Sequence, residues 1–288
     1  MTWFLDPFSA DFMLRALGGG LLVAAICAVV GTWVVIRGMA FLGEAMAHGM
    51  LPGVAAASLL GLPVIAGAAA SAVVMSVGVG LVSRRGRLSN DTSIGLLFVG
   101  MLALGVIVVS HSRSFATDLT AILFGDILAI STADLATLAV ALGATLLVAA
   151  VFHRPFVALS FDPRVAATMR LRPRLAHLAL VGLVTLAVVA SYGAVGSLLV
   201  VGLLLAPAVA AGRWATGIPG TMLLAACFGG AAVLGGLLAS WHFATAAGAS
   251  IAAAAIALAV LSAVVRFLVS SLSARIASTK KAASAALV

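Results

Sequence analysis

The sequence predicts an all-α polytopic membrane protein, and two observations lead to that fold class. Hydrophobic residues make up 64% of the 288 positions and charged residues only 8%, whereas soluble domains contain roughly 25% charged residues. The apolar segments are continuous runs, long enough for membrane helices, without the alternation that is typical of a membrane β-barrel. Residues 1–288 are therefore expected to form a single transmembrane domain.

Uncharged runs define the individual spans. Residues 16–36 and 92–112 each hold about the 20 residues that cross the hydrocarbon core once as a helix. Longer runs must hold two spans each, with breaks at residues that favour turns or the membrane interface. The breaks are placed at 61–63, 191–193 and 240–243. The sequence predicts about nine spans, with eight as the alternative. The nine are 14–36, 39–60, 63–83, 92–110, 135–152, 175–191, 194–212, 217–239 and 246–268.

The basic residues predict the orientation. If the loop at residues 84–87 is cytoplasmic, alternation of the spans leaves only Arg15 and Arg113 outside, which follows the excess of Lys and Arg in cytoplasmic loops. The N-terminus is then outside, and the tail at residues 269–288 is cytoplasmic. The net charge of +8 is divided among short loops beside anionic membrane lipid, which argues against nucleic acid as a partner.

The stretch GEAMAHGMLPG at residues 43–53 places two ionisable side chains inside the second span. Glu44 and His48 are four residues apart, so they share one stripe of the helix, and His48 falls near the middle of a ~30 Å core. Ionisable groups are costly at that depth and usually mark a pathway. A carboxylate and an imidazole suit Zn²⁺ or Mn²⁺, whereas Cu(I) calls for Cys and Met. The competing interpretation is a hydrogen bond that only fixes helix packing.

Prolines and small residues modify these spans. Pro52 has no N–H, so the carbonyl of His48 is expected to lose its usual donor and the helix to loosen there. Pro207 is expected to break the seventh span in the same way. Both prolines are candidates to line the path, with a packing kink as the alternative. Beside the Glu44 stripe, a stripe of small residues predicts close packing of another helix. That stripe is Ala45, Gly49, Gly53 and Ala57.

The predicted cytoplasmic loop at residues 153–174 contains a second candidate site. Its Ser-Phe-Asp-Pro sequence has the residues that begin a helix, with Ser160 or Asp162 as the cap and Pro163 in the first turn. Phe161 is then expected to be an exposed apolar anchor for a partner protein. The alternative is an amphipathic segment lying on the inner membrane surface.

These segments carry a family resemblance. Residues 37–53, RGMAFLGEAMAHGMLPG, closely resemble the second-span signature of permeases from zinc/manganese-type metal-ion ABC importers. Further segments are similar to the same family, in the family's order: 93–110, 119–135, 160–169 and 195–211. The resemblance implies a homodimeric permease in a prokaryotic cell membrane, two cytoplasmic ATP-binding subunits, and an external solute-binding protein. It also implies that Glu44 and His48 lie in the translocation path and that the loop around Phe161 docks on the ATPase.

Some features depart from the family pattern. Glu44 stands where Asp is more usual, Arg170 stands where the docking loop commonly has Gly, and residues 244–248 lack the usual proline and acidic residue. No GxxxxGK[ST] motif is present, so ATP hydrolysis is expected on another chain, and neither a catalytic site nor a permanently bound cofactor is expected here.

Two other function classes remain alternatives. A proton-coupled secondary transporter would use Glu44 and His48 as a relay, although no internal repeat of the second span supports it. An intramembrane metalloprotease would need an HExxH helix, which the sequence lacks. The sequence leaves open whether the ion is zinc or manganese, how tightly it is held, and whether His242 is a further ligand.

Overall fold

The computed structural model describes residues 6–85, 90–110, 125–161, 169 and 171–285, and these residues form helices without strands. The predicted all-α fold is thereby confirmed. The helices are α1 (Asp11–Ile36), α2 (Ala40–Gly49), α3 (Leu51–Leu60), α4 (Val64–Arg85), α5 (Asn90–Val109), α6 (Thr132–Val151), α7 (His153–Phe161), α8 (Pro173–Ala211), α9 (Ile218–Phe243) and α10 (Ala247–Ala285). Two 3-10 turns, Asp6–Ser9 and Ile127–Ala129, accompany them.

Seven helices in the described part of the chain are long and apolar enough to cross a membrane: α1, α4, α5, α6, α8, α9 and α10. The second predicted span is present as α2 and α3 together. Each has ten residues, so neither is long enough to cross a membrane alone. The sixth and seventh predicted spans are the two arms of α8. With these differences taken into account, the helices follow the nine predicted segments.

The breaks between spans agree with the prediction at one place and are shifted at another. α3 ends before Gly61, whose φ of 67° is the left-handed conformation that glycine adopts at helix ends. The break predicted at residues 240–243 is shifted by one residue, because α9 continues through Phe243 and the chain turns at Ala244, with φ of 52°. The Ser240 hydroxyl donates to the Thr245 carbonyl at 2.6 Å and closes this turn.

The second arm of α8 runs parallel to α1. Cys27 Sγ lies 3.8 Å from the carbonyl oxygen of Val200, and four residues further along both helices a Cβ at Gly31 would lie 1.9 Å from the carbonyl oxygen of Leu204. Only a glycine allows the two backbones to come this close. The pairing fixes both the direction and the depth of this arm.

The first arm of α8 runs in the opposite direction. It begins beside the end of α1, where Arg37 lies within electrostatic range of His177. The chain reverses at Gly196, whose φ of 73° and ψ of 166° are open almost only to glycine. A turn predicted at residues 191–193 is therefore wrong. The reversal falls at Gly196 because Gly125 packs against its backbone, and a Cβ at Gly125 would lie 2.3 Å from the Gly196 nitrogen.

The segment from Gly125 to Ile130 is inserted into the bundle between helices. Ile127 and Ile130 are each only 2% exposed, and they pack on Gly20 and Gly19 of α1. These glycines lie about 13 Å from the beginning of α1, at 1.5 Å per residue. Irregular backbone is tolerated at such depth only where protein covers it or where it lines a water-filled cavity. Ile127 and Ile130 are covered by protein, whereas Asp126 and Ala129 are exposed.

The predicted stripe of small residues packs as expected. It lies against α4: a Cβ at Gly53 would be 2.1 Å from the carbonyl oxygen of Gly67, and a Cβ at Gly67 would meet Ala57. A Cβ at Gly49 would contact the side chain of Met75, which is also on α4. The close fit holds α2 and α3 against α4 and fixes which stripe of α2 remains uncovered.

Candidate metal site

Glu44 and His48 form a hydrogen-bonded pair on one stripe of α2. The distance from His48 Nε2 to Glu44 Oε1 is 2.9 Å, at the i, i+4 spacing that stacks side chains on a helix. The exposed fraction is 38% for the Glu44 side chain and 22% for His48. The structure therefore brings together the two residues that the sequence singles out, and it leaves both open to contacts from outside the chain.

The other stripes of α2 are buried. Leu42, Ala45 and Met46 are all 0% exposed, and Gly43 lies against the Leu204 side chain of α8. Because these contacts occupy the remaining surface of the helix, the carboxylate and the imidazole occupy the side of α2 that its own chain leaves uncovered. An uncovered ionisable pair in a membrane helix requires a partner surface or water there.

Two aromatic rings form an apolar wall beside the pair. The ring of Phe98, on α5, lies edge-on to the His48 imidazole with centroids 5.7 Å apart and an angle of 68°. Phe41 contacts Phe98 in the same manner at 5.6 Å. Phe98 thus covers one side of the imidazole with apolar surface. The sequence argument did not single out Phe98, although it lies in a segment that resembles the fourth span of the family.

The helix is interrupted immediately after the pair. α2 ends at Gly49, and Pro52 lies in the first turn of α3, so the predicted loosening is present. The His48 carbonyl is not left without a donor, in contrast to the prediction, because the N–H of Met50 donates to it. The Gly49 carbonyl accepts a hydrogen bond of 2.9 Å from the Ser71 hydroxyl of α4. The break is thus held in place by polar contacts rather than left open.

The geometry of the pair suits a divalent cation. Two ligand atoms in neighbouring positions around an ion, with bonds of about 2.1 Å, are separated by about 3 Å. The 2.9 Å between Nε2 and Oε1 matches that separation, so an ion in place of the bridging proton needs only small side-chain adjustments. Among the described residues, no group of three or more His, Cys, Asp or Glu side chains is present. The described part of one chain therefore offers two such ligands at this position.

The second candidate site lies only partly within the described residues. Phe161 is the last residue of α7, and its side chain is 85% exposed, which agrees with the predicted apolar anchor. Asp162 and Pro163 lie outside the described residues. Ser160 is not a helix cap, because it lies inside α7 and its hydroxyl donates to the Phe156 carbonyl at 2.8 Å.

Two other candidates lie apart from the pair. Pro207 is buried in the second arm of α8, and the helix continues past it to Ala211, so the predicted break there is wrong. Whether Pro207 or Pro52 lines a path stays a prediction. His242 lies in the last turn of α9, and it forms no three-residue group with Glu44 and His48.

Comparisons with known proteins agree on one family. A family model described as the ABC 3 transport family matches residues 9–266. The manganese transport system membrane protein MntC of Halalkalibacterium halodurans is 36% identical, over 87% of this chain and 86% of that protein. A protein named as a probable iron transport system membrane protein in Haemophilus influenzae is 34% identical, over 86% of this chain and 92% of that protein. The solved structure of PsaBC from Streptococcus pneumoniae in complex with Fab matches with a TM-score of 0.80 and 32% identity, over 90% of this chain and 94% of that chain.

Proposed function

Because this chain belongs to the ABC 3 transport family of bacterial multi-pass membrane proteins, we propose that it is the permease subunit of an importer for a divalent transition-metal ion. Manganese or zinc is the ion, and the direction of transport is into the cytoplasm. ATP hydrolysis takes place on a separate subunit, and a solute-binding protein delivers the ion from outside. The pair of Glu44 and His48 in a membrane helix is the observation that carries the proposal.

The pair supports transport rather than a packing role. A hydrogen bond that served only to fix helices would join two elements and be enclosed by them. Here both partners are on α2, and their side chains remain 38% and 22% exposed. A charged group without a covering surface is energetically unfavourable in the membrane. Binding an ion in transit is a function that accounts for its presence. The ion exchanges part of its hydration shell for a carboxylate and an imidazole and then moves on.

A homodimer completes the site in this proposal. One chain supplies two ligands, whereas transition-metal ions in proteins generally bind four or more. A second copy that faces the uncovered side of α2 contributes another carboxylate and another imidazole to the same passage. It also shields both pairs from lipid. Water supplies any remaining ligands, as expected for an ion that is passed along rather than stored.

Manganese is the ion that we propose first. The relatives named above are described as manganese and iron transport proteins, and their names support a first-row divalent ion. A carboxylate and an imidazole accept Mn²⁺ and Zn²⁺ alike, so zinc remains the competing ion. The longer Glu44 side chain, in place of the more usual Asp, changes the position of the carboxylate but not the class of ligand.

The end of the bundle that carries Arg37 and α7 is proposed to be cytoplasmic. The basic residues of the chain concentrate at this end under the predicted topology. The 85% exposed Phe161 at the end of α7 is then available to a groove on the ATP-binding subunit. Because the nucleotide-binding motif is absent from the sequence, that subunit has to be another chain.

Replacing Phe161 by Ala is expected to weaken association with the ATP-binding subunit roughly tenfold, because a buried aromatic anchor contributes about 1–3 kcal/mol to an interface. Asp162→Ala, on the same loop, is expected to act in the same direction. Phe267→Ala is the matched control, since Phe267 is also 69% exposed but lies on α10. Affinity of the purified subunits in detergent is the measurement. Equal affinities for wild type and Phe161→Ala would remove this loop from the interface.

Copurification with an ATP-binding subunit tests the proposal as a whole. A tagged copy of the chain, expressed together with a candidate ATP-binding subunit from the same organism, is expected to retain that subunit through purification in a complex with two copies of each. A secondary transporter that relays protons through Glu44 and His48 would purify without an ATPase. Purification of the chain alone, with full transport activity, would therefore favour this second function.

A further inference from the structure

The short helix α7 is fastened to the last two turns of α1. Trp33, which is fully buried, lies edge-on to the ring of Phe156 at 5.2 Å and to that of His153 at 5.6 Å. Phe156 is 1% exposed. Since His153 and Phe156 are three residues apart, they lie on the same face of α7, and this face is the one that contacts α1.

Arg37 adds a polar contact one turn further along. Its Nη1 donates to the carbonyl oxygen of Leu159 in the last turn of α7. The last four carbonyls of a helix lack intrahelical donors and carry the negative end of its dipole. A guanidinium is therefore the favoured partner at this point, and Leu159 is itself only 4% exposed. The contact joins α7, which carries the proposed docking residue Phe161, to Arg37, the C-cap residue of α1.

Arg37 is also rigidly connected to the metal-binding helix. The N–H of Gly38 donates to Val35 at 3.1 Å, and the N–H of Met39 donates to Val34 at 2.9 Å. With the φ of 64° at Gly38, these bonds form a Schellman motif, which fixes the chain direction after a helix. α2 begins at the next residue, Ala40. No flexible linker separates Arg37 from the helix that carries Glu44 and His48.

We propose that Arg37 is the positioning residue that couples the ATPase-docking helix α7 to the metal-binding helix α2. The inference rests on the proposed function, because it assigns a role to the contact between the docking and ion-binding elements of that transporter. When the ATP-binding subunits move α7, the Leu159 carbonyl carries the Arg37 guanidinium with it. The Schellman turn then passes the displacement to the beginning of α2, and the Glu44–His48 pair changes its position relative to α5 and α8.

The packing around this route makes it a specific one. The ring contacts of Trp33 with His153 and Phe156 keep the last turn of α7 beside Arg37. His177, at the beginning of α8, lies within electrostatic range of the same guanidinium. Arg37 therefore lies where α1, α7 and α8 meet, at the point from which α2 departs.

The test measures metal uptake and ATP hydrolysis in the same vesicles, containing the full complex and the loaded solute-binding protein, with Mn²⁺ as the probe. Arg37→Met keeps an unbranched apolar stem and removes the guanidinium. It is expected to retain ATP hydrolysis within about twofold while uptake falls roughly tenfold, so that the ATP consumed per ion rises, because the charged hydrogen bond to α7 is lost. Arg37→Lys keeps the positive charge but lacks the forked guanidinium, and its ATP consumed per ion is expected to lie between the values of wild type and Arg37→Met.

Arg213→Met is the matched control, because Arg213 is an exposed arginine just beyond the end of α8. The Arg213→Met complex is expected to consume as much ATP per ion as wild type. If uptake and hydrolysis fall in proportion in the Arg37 variants, or if neither changes, Arg37 does not couple the helices and the inference is wrong. If the Arg37→Met complex fails to assemble, the ATP consumed per ion is compared between Arg37→Lys and wild type, and the same two outcomes contradict the inference. Absence of ATP-dependent uptake by the wild-type complex is a distinct result, which contradicts the proposed function and the inference with it.

Discussion

Glu44→Gln and His48→Ala are each expected to abolish metal uptake without preventing assembly. Glu44→Gln keeps the shape of the side chain and removes the charge that attracts the ion. His48→Ala removes the nitrogen ligand and leaves the carboxylate without its hydrogen-bond partner at 2.9 Å. Loss even of an outer partner of a metal ligand costs about 10–100-fold in affinity, so we expect at least a roughly tenfold loss of uptake in vesicles that contain all partners.

Two further variants make this result specific. Glu44→Asp restores the residue more usual in the family and is expected to retain part of the activity. His242→Ala removes an imidazole on α9 and is expected to leave uptake within about twofold of wild type, as substitutions outside a site usually do. Near-normal uptake by the double variant Glu44→Gln/His48→Ala would mean that the pair serves packing and that the ion crosses elsewhere.

Gly53→Ala is expected to disrupt the fold around the site. The added Cβ would lie 2.1 Å from the Gly67 carbonyl oxygen and 2.6 Å from the Ser71 Cβ, and the first of these is backbone that cannot rotate away. Separation of α3 from α4 also weakens the hydrogen bond from Ser71 to the Gly49 carbonyl. We expect a loss of about 1–3 kcal/mol, seen as a drop of roughly 2–10 °C in the Tm of the protein in detergent.

Gly80→Ala on α4 is the matched control for that substitution. A Cβ at Gly80 meets no other described atom within 4 Å, and alanine is the better helix former by about 1 kcal/mol. The control is therefore expected to keep or raise the Tm. Equal Tm values for Gly53→Ala and wild type would show that α3 and α4 are not packed as closely as described.

The features that the sequence predicts best are those that depend on one segment at a time. Long uncharged runs predict helices because the membrane leaves few other structures. The stripe of small residues around Gly53 predicts a close helix partner, and the i, i+4 spacing of Glu44 and His48 predicts a shared stripe. Each of these follows from helix geometry alone, so it needs no knowledge of which helices become neighbours.

The features that were not predicted depend on contacts between distant segments. The reversal of α8 falls at Gly196 rather than at residues 191–193 because Gly125, from another part of the chain, fits against it. A helical pattern continued past Pro207 because tertiary packing outweighs one lost hydrogen bond. The Phe98 wall beside His48 and the contact between Arg37 and Leu159 likewise join residues far apart in sequence, and a single sequence gives no signal for such pairings.

ATP-dependent accumulation of Mn²⁺ or Zn²⁺ in vesicles is the most direct test of the central claim. The chain is reconstituted with its ATP-binding subunit, and the loaded solute-binding protein is supplied on the outside. We expect ions to accumulate only when ATP and a hydrolysis-competent ATPase are present, and uptake to be indifferent to an imposed proton gradient. Accumulation driven by a proton gradient in vesicles that contain the chain alone would contradict the account and identify Glu44 and His48 as a proton relay.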